Sequence, residues 1–282
     1  MLTPEQIEER RGGVGGSDVA AICGFKQSRL QVYCEKLGLW ERPSSPEMDD
    51  GNRLEDAIAQ WYHDQHAEWL LSPSDTIRHA EHDWCLANPD RLVYADHGLL
   101  HHGLEIKRRY SRDGWGEPHT DDVPDDVACQ CHWYMFVTGL PRWDVAVRWE
   151  GSGYGEYVLL ADADIQAGLF EQVRAFWHDH VLAKVPPDPG PATADGHCIA
   201  AIFPFREDRI FDANEEEDGL AYALLVARKA YATAEADKDE AENAFKAAIR
   251  DRGGLRGWWG RVTWRPTKAG HRTLRCHFKE NL

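Results

Sequence analysis

The sequence has 282 residues, of which 43% are hydrophobic and twelve are tryptophan, so it can bury one large core or one core with an appendage. Its net charge of −16 at pH 7 argues against a uniformly basic nucleic-acid-binding surface. No apolar stretch reaches the roughly 18 residues of a membrane span, and the first five residues do not resemble a signal peptide. Seven cysteines without a C-x-x-C pair are typical of reduced thiols, which predicts a cytoplasmic protein.

Proline content and charge divide the chain into three predicted sections. Residues 1–185 alternate helical and strand patterns and form the predicted catalytic domain. Residues 186–204 begin with the sequence PPDPGP, which neither a helix nor a central strand tolerates, and are predicted to be a linker. Residues 205–282 are predicted to form an appendage. From Arg250 onward the chain has nine basic and two acidic residues, which favours a contact with phosphate or, alternatively, a solvated basic face.

Hydrophobic periodicity predicts alternating helices and strands in the first section. Apolar residues at helical spacing predict three helices, over residues 51–63, 124–138 and 165–183. Period-two alternation and turn residues predict three strands, over residues 90–94, 104–108 and 143–149. The apolar stripe of the first helix consists of Leu54, Ile58, Trp61 and Tyr62. A turn at Asp96-His97-Gly98 is expected to join the first two strands.

The appendage is predicted to contain a long helix and a β-hairpin. Between Leu220 and Ala248, apolar or small residues recur at 4-3 spacing over four heptads, with one polar break at Lys238. Two runs at residues 258–265 and 271–279 then flank a turn. Basic and apolar residues alternate along both runs, so one face of the hairpin is expected to be basic and the other apolar.

Two acidic residues and a lysine form the candidate catalytic centre. Asp90 opens a predicted strand, and after fourteen intervening residues Glu105 and Lys107 project from the same face of the next strand. Mg²⁺ prefers oxygen ligands and keeps water molecules for a reaction, and a nearby ammonium group stabilises charge on a phosphate. The pattern therefore favours phosphodiester hydrolysis, although the same alternation also occurs on solvated strand faces.

Three further residues are candidates for the same site. Gln130 and Tyr134 lie four residues apart on the 124–138 helix, where both can reach one ligand or form a hydrogen-bonded pair in the core. Glu55 lies at the edge of the apolar stripe of the 51–63 helix. It either leans towards the site or remains an ordinary surface residue.

The glycine-rich segment near the N-terminus completes neither a Walker A nor a dinucleotide-binding pattern. Ser17 or Asp18 is the expected N-cap of a helix that starts at Val19. An exposed helix N-terminus with Arg10 or Arg11 nearby can hold a terminal 5′-phosphate.

Five segments occur in an order typical of one family. They are Arg10-Arg11-Gly12-Gly13-Val14-Gly15-Gly16-Ser17-Asp18, Gly51-Asn52-Arg53-Leu54-Glu55, Pro89-Asp90, Glu105-Ile106-Lys107 and Gln130-Cys131-His132-Trp133-Tyr134. Together they resemble the YqaJ-type viral recombinases, relatives of lambda exonuclease within the PD-(D/E)XK nuclease superfamily. The resemblance covers about residues 8–150.

The resemblance implies a restriction-endonuclease-like α/β core, a mixed sheet flanked by helices, followed here by the helix and hairpin appendage. It also implies 5′→3′ exonuclease digestion of double-stranded DNA, which leaves 3′ single-stranded overhangs for recombination. The implied catalytic residues are Glu55, Asp90, Glu105, Lys107, Gln130 and Tyr134. The implied site for Mg²⁺, with Mn²⁺ as an alternative, consists of Asp90, Glu105, Ile106 and Glu55.

The resemblance further implies partners and DNA contacts. A homo-oligomer is expected, most simply a trimeric ring, together with a single-strand annealing protein in a bacterial or phage-infected cytoplasm. In the family, an arginine seven residues before a serine binds the 5′-phosphate, which falls on Arg10 and Ser17, although the family's Ser/Thr-rich turn is otherwise glycine here. The other expected DNA contacts are Arg11, Arg108, Arg261, Arg265 and Arg275.

Alternative functions remain open at this point. The motif specifies hydrolysis and not substrate geometry, so a structure- or site-specific endonuclease or resolvase is one alternative. A catalytically silent DNA-binding scaffold is another, against which the complete Asp90, Glu105 and Lys107 set argues. Zinc is disfavoured because the chain has neither H-E-x-x-H nor C-x-x-C, and the cysteine spacing does not support an iron–sulfur cluster.

Overall fold

The computed structural model describes residues 4–26, 28–95, 98–151, 153–206 and 208–279, with the side chains of all these except residues 4–6 and 52. The chain divides into two compact units, Met1–Arg206 and Glu207–Leu282. The predicted turn residues Asp96 and His97 lie outside the described residues. No helix in the described ranges is long and apolar enough to cross a membrane.

The first unit begins with four helices, α1 (Pro4–Arg11), α2 (Gly16–Ile22), α3 (Arg29–Lys36) and α4 (Pro46–Gln65). The strands of this unit are β1 (Leu70–Ser72), β2 (Ile77–Arg78), β3 (Leu86–Ala87), β4 (Arg91–Ala95), β5 (Leu99–Arg109), β6 (Arg142–Trp149) and β7 (Gly153–Leu160). Helix α5 (Asp125–Thr138) lies between β5 and β6. Helix α6 (Ala163–Phe176) continues into a π-helical turn (Trp177–Leu182) and is followed by α7 (Thr193–Ile202).

Five strands form a mixed sheet in the order β1-β4-β5-β6-β7. Strands β5 and β6 are parallel, with Glu105 opposite Val145, and the other neighbours are antiparallel. A parallel pair requires a crossover connection, which α5 supplies. This helix matches its prediction closely, because Pro124 precedes it and Gly139, in the left-handed conformation, ends it.

Helices cover both faces of this sheet. On one face, Trp143 and Val145 of β6 pack in a large core with residues of α2, α3, α5 and α6. On the other face, Leu104 and Ile106 of β5 pack against Ile58 of α4. The predicted fold class, a mixed sheet flanked by helices with a C-terminal helix and hairpin, is confirmed.

Helix α4 starts five residues before its predicted first residue, Gly51. The side chain of Ser45 accepts a hydrogen bond from the Met48 backbone N–H, and Pro46 occupies the first turn, where its missing donor is harmless. Both signals lie outside the apolar periodicity on which the prediction was based.

The apolar stripe of α4 is only half buried. Ile58 and Tyr62 lie in the core, whereas Leu54 and Trp61 are about 40% exposed. The four residues form the predicted stripe along the helix, but only Ile58 and Tyr62 pack in the cluster between α4 and the sheet.

Strand β7 was not predicted from the sequence. Its Tyr157 and Leu159 pack in the large core, but Glu156, immediately before Tyr157, is also buried. Tyr154 donates a hydrogen bond to Glu156 (2.7 Å), and His66 Nε2 lies 2.8 Å from the same carboxylate. A buried acidic residue and two glycines in the strand hide the alternation that identifies a strand.

The predicted linker contains helix α7, so only its proline-rich first part lacks regular structure. Asp195 of α7 is 1% exposed and accepts hydrogen bonds from Ser28 Oγ and Gln31 Nε2, both at 2.6 Å, and from the Gly190 amide at 2.5 Å. Cys198 is also buried in the large core. The first compact unit therefore extends through the linker to Arg206.

The second unit consists of α8 (Glu215–Ile249) and a three-stranded sheet of β8 (Gly254–Gly257), β9 (Gly260–Pro266) and β10 (Arg272–Phe278). Asn214 caps α8, with reciprocal hydrogen bonds between its side chain and backbone and those of Glu217. The predicted long helix and hairpin are present, and β8 is an additional strand. In the heptad seam, Leu220, Leu224 and Tyr231 are exposed within the described unit.

A buried polar network joins α4 to the sheet in the first unit. Asp144 Oδ2 accepts hydrogen bonds from Tyr62 OH (2.6 Å) and Arg142 Nη2 (2.8 Å) and lies 3.3 Å from His102 Nε2. Burial raises the pKa of the Asp144 carboxyl, but the hydrogen bonds of His102, Arg142 and Tyr62 outweigh it and lower the pKa to about 2. The folded state therefore favours the ionised form.

We expect Asp144→Asn to melt at a lower temperature than the parent at neutral pH. In acid, the difference between the two melting temperatures should become smaller. The lowered pKa of Asp144 corresponds to a stabilisation of about 2 kcal/mol that is present above pH ~4 and lost as the pH falls towards 2. Calorimetric melting between pH 7 and 2 measures the difference, with the exposed Asp83→Asn as control. A difference that does not change with pH would contradict this linkage.

Candidate active site

Asp90 is held against β5 at the point where the β4–β5 ladder ends. The last residue pair at that end is Arg91 with Leu104. The next donor along β5, the Ile106 amide, donates instead to Asp90 Oδ2 at 2.7 Å. The carboxylate therefore takes the place of a strand partner, which fixes its position next to Glu105.

Glu105 and Lys107 project from one face of β5, as predicted, and form an ion pair. Gln130 of α5 binds both, because its amide nitrogen donates to Glu105 Oε1 (2.7 Å) and its amide oxygen accepts from Lys107 Nζ (3.1 Å). The same amide nitrogen lies 2.9 Å from Tyr134 OH, which donates to the Asn88 carbonyl at 3.1 Å. The structure thus brings five of the predicted residues together in one cluster.

Two carboxylates and an ammonium group share this largely buried space. Burial, together with the Glu105 charge, raises the pKa of Asp90 well above its usual range. Burial lowers the pKa of Lys107, but the charges of Glu105 and Asp90 outweigh it and raise the pKa, so the ammonium group stays charged. Glu105 is 2% exposed, and its Oε2 has no hydrogen-bond partner among the described residues.

This donor set fits a hard divalent cation. Mg²⁺ is usually held by one or two carboxylates and keeps several water molecules. Asp90 and Glu105 supply two carboxylates, and the unpartnered Glu105 oxygen is a buried acceptor that a cation would satisfy. Within the described ranges, no three His, Cys, Asp or Glu residues are close enough together to hold a metal ion. Glu55, the predicted third acid, instead forms an ion pair with Arg91 at 2.7 Å.

The glycine-rich segment forms the start of α2, three residues before the predicted helix start at Val19. Gly15 is the N-cap, so the prediction of Ser17 or Asp18 as the cap was wrong. Asp18 acts from inside the first turn, where its carboxylate accepts hydrogen bonds from the Gly15 amide (2.9 Å) and Lys36 Nζ (2.6 Å).

The first residue of α2 packs directly on helix α5. A Cβ atom on Gly16 would lie 2.6 Å from Tyr134 Cε1 and 2.8 Å from Gln130 Cγ. Real Cβ atoms do not approach so closely, so only glycine allows α2 this near to the two side chains. This contact links the N-terminal motif to the residues that hold Glu105 and Lys107.

The predicted phosphate-binding arginines differ in their surroundings. Arg10, at the end of α1, and Ser17, in the first turn of α2, are exposed. Arg11 forms ion pairs with two glutamates at 2.9 and 3.4 Å. Arg108 pairs with Glu150 at 3.1 Å and lies 4.1 Å from the centre of the Tyr110 ring. Arg10 and Ser17 are therefore the more accessible of these candidates.

The predicted basic face lies on β9 and β10 of the second unit. Arg261 is opposite His277, and Arg275 is opposite Thr263, so these side chains share one face of the sheet. They border a groove of about 490 Å³. Its lining side chains are Arg261, Thr263, Arg265, Pro266, Thr267, Lys268, Thr273, Arg275 and His277.

Two cations near the cluster were not found from the sequence. Lys26 Nζ lies 3.0 Å and Arg109 Nη2 2.8 Å from the same Asp126 oxygen. Arg109 carried a usable signal, because it lies two residues after Lys107 and shares its strand face. No sequence signal indicated the position of Lys26, since its contact depends on how α2 packs.

The sheet and its flanking helices form a mixed α/β fold, with Asp90, Glu105 and Lys107 clustered at one central strand. Residues 7–141 match the model of the YqaJ-like viral recombinase domain. The chain is therefore similar to this family over these residues, which make up just under half of its length.

Individual proteins are similar to larger parts of the chain. An uncharacterized protein YqaJ of Bacillus subtilis (strain 168) is 22% identical over 261 residues, 89% of this chain and 79% of its own length. The alkaline exonuclease LHK-Exo from Laribacter hongkongensis is 20% identical and superposes with a TM-score of 0.51, over 65% of this chain and 94% of that one. Its complex with dAMP gives a TM-score of 0.52 at the same identity and coverage. These structures share the fold of this chain.

We expect Gly16→Ala to destabilise the first unit by about 1–3 kcal/mol, because the new methyl group overlaps Tyr134 and Gln130. Urea unfolding measures the change. Gly168→Ala is the matched control, since a Cβ at Gly168 in α6 meets no atom within 4 Å and alanine favours a helix. Equal stability of Gly16→Ala and the parent would show that α2 is free to move away from α5.

Proposed function

We propose that this chain is a Mg²⁺-dependent DNA exonuclease, with Mn²⁺ as an alternative metal, that digests double-stranded DNA 5′→3′ and leaves 3′ single-stranded overhangs. The observation that carries this proposal is the cluster beside Asp90 and Lys107, in which one buried oxygen of Glu105 has no hydrogen-bond partner in the described part of the chain. The family match and the exonuclease-like fold are consistent with it.

The chemistry follows from the groups in the cluster. Asp90, Glu105 and the backbone carbonyl of Ile106 would hold the metal, which supplies Lewis acidity and an acidified water when bound. Glu55 would take part only after leaving Arg91. The Lys107 ammonium group would orient the attacking water and stabilise negative charge on the phosphate.

Gln130 and Tyr134 are positioning residues in this proposal. Gln130 fixes Glu105 and Lys107 at hydrogen-bond distance from one amide group, so neither side chain can rotate freely. Tyr134 orients Gln130 and ties the cluster to the Asn88 carbonyl, just before Asp90. Their removal would loosen the geometry and leave the carboxylates in place.

DNA would reach this site through contacts in both units. Arg10 and Ser17 are proposed to bind the 5′-phosphate, with Arg108 and Arg11 available only if their ion pairs open. The basic face of the second unit is proposed to bind the duplex backbone. A trimeric ring and a single-strand annealing protein would complete the recombination function that the family description suggests.

Replacement of Asp90 or Glu105 by alanine is expected to abolish cleavage of linear duplex while DNA binding survives, because both acids would bind the metal. Lys107→Ala is expected to cleave about a hundredfold or more slowly, which is the effect of removing one donor that stabilises negative charge in the transition state. This variant should still bind Mg²⁺. End-labelled duplex measures cleavage, and calorimetry measures metal binding.

The exposed Asp83→Ala is the control for these variants. Full activity of Asp90→Ala would remove the catalytic assignment, and lost Mg²⁺ binding in Lys107→Ala would contradict the role of the lysine. Cleavage of closed circular plasmid as fast as linear DNA would favour an endonuclease with the same chemistry.

A 5′-phosphorylated duplex is expected to be degraded faster than a 5′-hydroxyl duplex, because Arg10 and Ser17 would bind the terminal phosphate. Arg10→Ala should remove this preference and retain hydrolysis. Arg11→Ala is the matched control, since Arg11 is already paired with glutamates. Equal parent rates on both kinds of end would refute end recognition at this place.

Replacement of Arg261, Arg265 and Arg275 by glutamine is expected to weaken duplex binding and flatten its salt dependence. Each phosphate contact contributes about 0.9 to the slope of log affinity against log salt concentration. Anisotropy titrations at several salt concentrations measure the slope, with Lys229→Gln on α8 as control. An unchanged slope in the triple variant would show that the basic face is solvated and does not contact DNA.

A further inference from the structure

Two cations next to the catalytic cluster have no function in the chemistry above. Lys26 follows α2, and Arg109 is the last residue of β5. Both bind one oxygen of Asp126, at 3.0 and 2.8 Å, in the first turn of α5. Three elements that are distant in sequence therefore meet around a single anionic oxygen.

The surroundings of this oxygen are strongly positive. Arg109 lies two residues beyond Lys107 on β5, on the same face and about 7 Å further along the strand. Burial lowers the pKa of Lys26, and the charges of Lys107 and Arg109 lower it further against the opposing effect of Asp126. Three cations therefore share one electrostatic environment, and Asp126 is the carboxylate that bonds two of them.

The two cations remain accessible from solvent. Lys26 and Arg109 are 34% and 30% exposed, whereas Asp126 is 14% exposed. An anionic oxygen held by an ammonium and a guanidinium group is also the arrangement in which proteins bind phosphate. The carboxylate of Asp126 has the charge and the acceptor geometry of such a ligand.

We propose that Lys26 and Arg109 form a phosphate subsite for the DNA strand, one position along from the reacting phosphodiester, and that Asp126 occupies this subsite in the free protein. This inference rests on the proposed nuclease function. When DNA binds, a phosphate oxygen replaces the Asp126 oxygen between the two cations. The released carboxylate remains in the first turn of α5, where the helix dipole favours a negative charge.

The proposed subsite and a purely structural ion-pair cluster predict different signs for the effects of mutations on DNA affinity. In a structural cluster, loss of the acid and loss of either base have the same consequence, because each breaks the same contacts. In the proposed subsite, loss of a base removes a contact with DNA, whereas loss of Asp126 removes a competitor of DNA. Opposite signs on affinity that exceed the effects of the same charge changes at the exposed pair, Arg174→Gln and Glu171→Gln, therefore identify the subsite.

The test is equilibrium binding of a fluorescein-labelled 5′-phosphorylated duplex to the full chain, measured by anisotropy in EDTA over a series of salt concentrations. Lys26→Gln and Arg109→Gln should each weaken binding and lower the salt slope by about 0.9. Lys26→Arg should bind as the parent does. Asp126→Asn should strengthen binding by about two- to fivefold, the range of one exposed ion pair.

Arg174→Gln, which opens an exposed ion pair on α6, is the charge-matched control, and thermal melting confirms that each variant is folded. If Asp126→Asn weakens binding as Lys26→Gln does, the cluster is structural and the subsite is refuted. Parental affinity and slope in both Lys26→Gln and Arg109→Gln would refute it as well. A parent chain that does not bind duplex would overturn the proposed function itself, whereas normal parental binding with unaltered variants removes the subsite alone.

Discussion

The ion pair of Lys107 with Glu105, buried between β5 and α5, is the interaction on which the rest of the site depends. A buried charge is unfavourable unless a partner and hydrogen bonds replace its water. Gln130 supplies those hydrogen bonds to both partners and is itself bonded to Tyr134. The side chains on α5 can fill this space only because Gly16 lets α2 approach them without a side chain of its own. The N-terminal glycines, the crossover helix α5 and strand β5 therefore form one packed arrangement.

Strand β5 serves two different environments at once. Its odd-numbered side chains, Glu105 and Lys107, lie on the face covered by α5, where both form hydrogen bonds with Gln130. Its even-numbered side chains, Leu104 and Ile106, lie on the face covered by α4 and pack in an apolar cluster. Further along the same face, His102 joins the network of Asp144. The cluster of Glu105 and Lys107 and the network of Asp144 therefore lie on opposite faces of the sheet.

Local signals were enough to predict the elements that carry the site, and non-local contacts account for what was missed. Helix α5 was framed by proline and Gly139, and the β4 and β5 strands followed from alternation. Strand β7 was missed because its buried Glu156 depends on partners from other elements. Helix α7 was missed because the proline-rich stretch before it suggested a linker. In the site, the spacing of Glu105 and Lys107 predicted a shared face, but the pairing of Glu55 with Arg91 depends on tertiary structure.

The double use of β5 has a consequence for how this sequence can change by insertion and deletion. Adding or removing one residue within the strand would exchange its two faces, because strand side chains alternate with a period of two. Glu105 and Lys107 would then enter the apolar cluster, and Leu104 and Ile106 would enter the polar cluster beside α5. Length variation among related chains should therefore collect in the segments on either side of β5, while the strand itself accepts substitutions alone.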